Sequence, residues 1–109
     1  MNQQTEPRWK QMQNAETRQV EEVLRKEFPN TDAYRYNSAS IRVRVIDARF
    51  EGKSIEERDA MVEPLLDKLP KATQADIINL ITLAPSETAS FNRQSLVNAE
   101  FEDPSRSML

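Results

Sequence analysis

Apolar residues follow four rhythms along the chain. They recur at helical spacing from Val20 to Phe28 and alternate with arginine from Ile41 to Val45. They return to helical spacing from Ile55 to Leu69 and run together from Ile77 to Leu83. The first stripe, Val20, Val23, Leu24 and Phe28, predicts a helix over Ala15 to Phe28. Glu21–Arg25 and Glu22–Lys26 are acid-before-base pairs on its outer face, and Pro29-Asn30 ends it. Thr31 to Asn37 reads as a short edge strand, and Asn37-Ser38-Ala39 as the turn of a hairpin. In Ile41 to Asp47, Ile41, Val43 and Val45 face the core while Arg42 and Arg44 face away.

The connection after this strand holds the sole glycine, Gly52, placed for a tight or left-handed turn. Ser54-x-x-Glu57 is a capping box that opens the next helix. Ile55, Val62, Leu65, Leu66 and Leu69 form the buried stripe of that helix. Pro64 lies inside it and predicts a kink, or two short helices meeting near Glu63; Pro70 stops the run. Asp76 to Leu83 is the third strand, with Ile77, Ile81 and Leu83 on one face and Ile78 and Leu80 on the other. A strand apolar on both faces is covered on both. Strand, helix and strand in this order imply a parallel pair with a right-handed crossover.

The chain therefore reads as an α/β (α+β) domain over 15–85, of order αββ(α)αβ. It carries a three-stranded mixed sheet with helices on one face. The polar leader 1–14 holds Trp9 and Met12, and reads either as frayed or as a helical turn with Trp9 packed on something. The segment 86–109 is polar but carries Phe91, Leu96, Val97 and Phe101, more large apolar groups than a disordered tail usually has. These are anchors for an arm that folds over its own sheet or over a second copy's as a dimer. A partner-docking peptide and plain disorder are the alternatives.

Composition narrows the chemistry. The chain has 109 residues, 38% hydrophobic and 30% charged, so its core is small. Burial worth about 25 cal/mol per Å² must offset a comparable entropy cost. There is no Cys and no His, which excludes disulfides, thiol nucleophiles, thiolate and imidazole ligands and the usual general base at neutral pH. The reading is accordingly a non-enzyme, with no catalytic residues, no metal and no cofactor. No apolar run reaches ~18 residues and no signal pattern opens the chain, so no membrane partner is expected and the cytoplasm is the default compartment. The net charge of −3 weighs against strong nucleic-acid binding, although it leaves room for a basic patch. That patch would be Arg35, Arg42, Arg44, Arg49, Lys53 and Arg58, with Tyr34 and Tyr36 nearby for stacking. The same arginines could instead pair with tail acids such as Glu100 and Asp103.

Asp47, Arg49-Phe50, Gly52, Ser54, Arg58 and Val62 resemble the BolA family in identity and spacing. The resemblance covers about Ala15 to Pro85. It implies an αββααβ fold related to the class II KH domain, with Pro64 starting the second of its two middle helices. BolA-like proteins share a [2Fe–2S] cluster with monothiol glutaredoxins, through a third-strand His and a Cys or His between the first two strands. Here the third-strand position falls at or near Asp76, and the loop offers Asn37-Ser38-Ala39-Ser40. A carboxylate is a poor substitute for imidazole at an iron–sulfur site. The resemblance thus implies a non-catalytic protein-interaction or regulatory module without cluster ligands of its own. The alternative is a KH-like nucleic-acid-binding regulator using the arginine face, although one glycine cannot supply the GxxG loop of a KH domain.

Overall fold

The computed structural model of the protein describes residues 6–88 and 93–107, the backbone alone for residues 93–95. A 3₁₀ turn at Arg8–Met12 leads into α1 (Ala15–Arg25), β1 (Thr31–Asn37) and β2 (Ser40–Ile46). A 3₁₀ turn at Ala48–Phe50 follows, then α2 (Ile55–Leu66), α3 (Lys71–Asp76) and β3 (Ile77–Leu83). A last 3₁₀ turn, Pro85–Thr88, precedes α4 (Arg93–Glu102). The expected mixed sheet is present. Its order is β1-β2-β3, with β1 antiparallel and β3 parallel to β2.

Local signals set most boundaries. Asn14 and Thr17 form a reciprocal cap at the start of α1. The helix ends before Phe28, but the Phe28 N–H still donates to Leu24 O at 2.8 Å and its ring stays in the core. At α2 the expected box is made: Ser54 Oγ accepts from the Glu57 N–H at 3.1 Å, and Glu57 accepts from the Ser54 N–H at 2.8 Å. Gly52 sits at φ 76°, where a side chain is strained.

Three expectations need correction. Pro64 neither splits α2 nor begins a helix; α2 runs through it to Leu66, and the second helix starts after Pro70. Proline frees the carbonyl one turn back, that of Ala60. Ala60 and Pro64 are both exposed, so that carbonyl lies on the wet side of the helix. The faces of β3 are also exchanged. Ile41 pairs with Ile77 but Arg42 pairs with Asn79, so Ile78 is an extra residue in the ladder. This bulge reverses the parity after it. Leu80 joins Val43 on the core side, and Ile81 joins Arg44 on the other. In addition, Asp76 ends α3 rather than opening the strand.

The main core lies between one sheet face and the helices α1 and α2. Val20, Leu24, Phe28, Ile41, Val43, Val45, Phe50 and Val62 are its centre. Helices do not stay on that face alone. On the opposite face Trp9, Tyr34 and Phe101 form a second cluster, joined by Met12, Tyr36 and Ile81. The three rings contact one another at centroid distances of 4.7 to 6.0 Å.

Candidate interaction surface

The outer sheet face carries Arg42 and Arg44 under α4. Arg42 donates to Glu100 at 3.0 Å and to the Tyr34 hydroxyl at 3.1 Å, and its guanidinium lies 3.7 Å from the Tyr36 ring centre. Arg44 binds Asp32 at 2.7 Å, Asn98 at 2.9 Å and Glu102, and stacks 4.5 Å over Phe101. Their side chains are 11% and 7% exposed, so neither is available to a phosphate as the chain stands.

The other basic candidates lie elsewhere and are mostly occupied. Arg35 ties α1 to the end of α3, through Glu16 at 2.7 Å and Asp76 at 3.0 Å, and donates to Ser38 O in the hairpin. The Asp76 carboxylate is thus engaged by an arginine. Arg49 grips Asp47 at 2.9 and 3.2 Å and donates to Glu27 O. Arg58 is buried, with a two-pronged bond to Glu87 at 2.7 and 2.8 Å and further bonds to Thr82 O and Lys53 O. Lys53 is exposed at the turn before α2. These side chains therefore form no single basic face. Periodicity marked which residues leave the core side, but not that carboxylates distant in sequence meet them.

Of the arm anchors, Phe101 is fully buried, whereas Leu96 is 73% and Val97 39% exposed. Phe91 lies outside the described residues. The acidic partners are tuned accordingly. Hydrogen bonds from Arg49 and from Arg58 hold the Asp47 and Glu87 carboxyls below their ordinary values. Glu100 is lowered first by the Ser105 N–H, then by the Ser105 hydroxyl and Arg42. Burial pushes the Tyr34 hydroxyl up.

A different surface runs along β3. Ile55, expected in the buried stripe, is 45% exposed, and Ile78 is 64% exposed. A groove of about 210 Å³ has β3 from Asn79 to Leu83 as its floor, with Ile55 of α2 on one wall and Val97 of α4 on the other. It is smaller than the ~300 Å³ at which small-molecule pockets begin. Along α2, Glu56, Asp59, Glu63 and Asp67 recur at helical spacing on one face. Glu63 and Asp67 line a hollow with Ile77, at the start of β3. Ile55 marks the other end of the same row. Asp59 is raised by burial and by its neighbours Glu63 and Glu56, and its Oδ1 is buried with no hydrogen-bond partner. The acidic spacing was readable in the sequence; its position beside an open strand was not.

Among the described residues no group of three potential ligands could hold a metal ion, and no helix is long and apolar enough to cross a membrane. No protein-family model, curated protein or solved structure matches the chain.

Proposed function

We propose that the chain is a non-catalytic protein–protein interaction module of BolA-like architecture, without iron–sulfur ligands of its own. The observation that carries this reading is the contrast between two surfaces. The arginine face is covered and neutralised within the chain, while apolar side chains beside β3 remain in water. Exposed apolar groups gathered at a groove mark a docking surface more often than a solvated one. The BolA-like relation rests on Arg49-Phe50, Gly52, Ser54 and Arg58, and on the helix–strand–strand–helix–helix–strand order. Arg49 and Arg58 brace the turn and α2 rather than offering themselves to a ligand, which supports a scaffold role for that motif. The absence of His and Cys from the sequence supports a partner role that does not depend on a cluster.

The KH-like nucleic-acid alternative requires Arg42 and Arg44 to leave Glu100, Glu102 and Asp32. Anisotropy titrations with labelled single-stranded RNA and double-stranded DNA at low salt separate the two. The expected result is no saturable binding. Binding that falls steeply with salt and is lost in Arg42→Ala/Arg44→Ala would transfer the function to nucleic acid. In parallel, tagged protein expressed in its native host should retain a polypeptide that rebinds when purified. Co-expression with a monothiol glutaredoxin should give no coloured cluster complex.

A further inference from the structure

A three-stranded sheet has two edges, and this one treats them differently. Backbone groups of β1 on the side away from β2 are engaged by side chains. Gln13 donates to Ala33 O at 2.9 Å, Glu21 accepts from the Ala33 N–H at 3.0 Å, and Arg25 donates to Thr31 O at 2.9 Å. That edge is closed to another strand. β3 has β2 on one side and, among the described residues, no strand on the other. Leu83 O accepts from the Asp47 N–H that follows β2, so by alternation Leu80 and Thr82 direct their backbone groups outward. Arg58 takes Thr82 O, at the C-terminal end of the strand. The stretch around Ile78 and Leu80 remains an open template of the kind that proteins usually block.

Helices flank that template on both faces, Ile55 of α2 on one side and Val97 of α4 on the other. The α2 side is acidic. Glu56, Asp59, Glu63 and Asp67 make no ion pair among the described residues, whereas Glu16, Asp32, Asp47, Asp76, Glu87, Glu100 and Glu102 all do. We infer that the β3 edge is a strand-addition site for an extended peptide of alternating character. Its residues on the α2 side are Lys or Arg, facing Glu56, Asp59 and Glu63; those on the α4 side are apolar, meeting Val97. Main-chain bonds to the edge give affinity and the two side-chain rows give selectivity. A second copy of this chain is a poor occupant. Two-fold pairing of β3 with β3 sets one acidic α2 row beside the other, and like charges repel. The inference rests on the interaction-module reading and specifies its surface.

The test uses the full chain and a fluorescein-labelled nonapeptide of alternating lysine and valine. Its counterparts are a glutamate–valine peptide and two lysine–valine peptides N-methylated on the odd or the even residues. The lysine–valine peptide should bind saturably, at least about tenfold more tightly than the glutamate–valine peptide. Only one of the two methylated peptides should lose binding, because alternate N–H groups face the edge. Amide shifts should concentrate at Ile78 to Thr82, and Glu56→Lys/Glu63→Lys should reverse the charge preference. Indifference to methylation at both phases, shifts centred elsewhere, or no binding would each overturn the inference. So would a concentration-dependent doubling of mass abolished by Ile78→Asp, which assigns the edge to a second copy. A native partner that rebinds Glu56→Lys/Glu63→Lys unchanged removes the edge site while leaving the interaction module standing. Nucleic-acid binding removes the module itself.

Discussion

The Arg58 guanidinium donates to both Glu87 oxygens and to the Thr82 carbonyl, so one side chain joins α2, β3 and the turn that follows. It is 3% exposed, and truncation leaves a carboxylate and a carbonyl without their donor. Arg58→Ala should therefore cost roughly 3 kcal/mol in urea unfolding. Arg58→Lys should recover only part of that, because an ammonium cannot reproduce the planar fork. Phe101 is a second such residue, fully buried against Trp9 and Tyr34. Phe101→Ala should lower stability by about 3 kcal/mol, read from the urea midpoint. The sequence named both positions, Arg58 as a candidate ligand contact and Phe101 as an anchor. It did not show that Arg58 is buried, because Glu87 and Thr82 meet it only through the crossover.

At the level of elements, strands and caps were the legible part. The alternation in Ile41 to Val45 fixed which side chains enter the core, and Ser54-x-x-Glu57 fixed where α2 begins. Two features hid from periodicity. The bulge at Ile78 adds one residue opposite β2, and a period of two carries no memory across it, so strict alternation places Leu80 and Ile81 on each other's faces. Pro64 reads as a break by its chemistry, yet it is tolerated where the freed carbonyl meets water. Removing it should help: Pro64→Ala should raise the melting temperature, by the equivalent of about 1 kcal/mol or more, with no change in binding. The β3 edge was legible in part. A hairpin of the first two strands and a parallel second pair leave the third strand terminal, but which of its backbone groups stay open depends on side chains distant in sequence.

For the whole molecule, arginine-bound carboxylates set an acid limit on stability. Asp47, Glu87 and Glu100 have folded values below their ordinary ones, 3.8 for the aspartate and 4.5 for the glutamates. Their contribution is complete above those ordinary values and is lost as pH falls through the lower folded ones. Asp59 has the opposite sign. Its folded value is raised, so its charge costs stability at neutral pH, and the cost is relieved as pH falls through that raised value. Urea midpoints should accordingly rise slightly from pH 7 into the mildly acidic range, then fall below about pH 4. Asp59→Asn should abolish the rise, and Glu87→Gln should shrink the fall.

The protein has one tryptophan, and it lies between the first strand's outer face and the last helix. Its indole reports on the meeting of the two chain ends rather than on the main core. Native emission should be blue-shifted, because the ring is 4% exposed. Anything that lifts α4 from the sheet should redden that emission while far-ultraviolet dichroism barely changes. The chain thus contains its own optical gauge of whether its arginine face is open or shut, and needs no added label to read it.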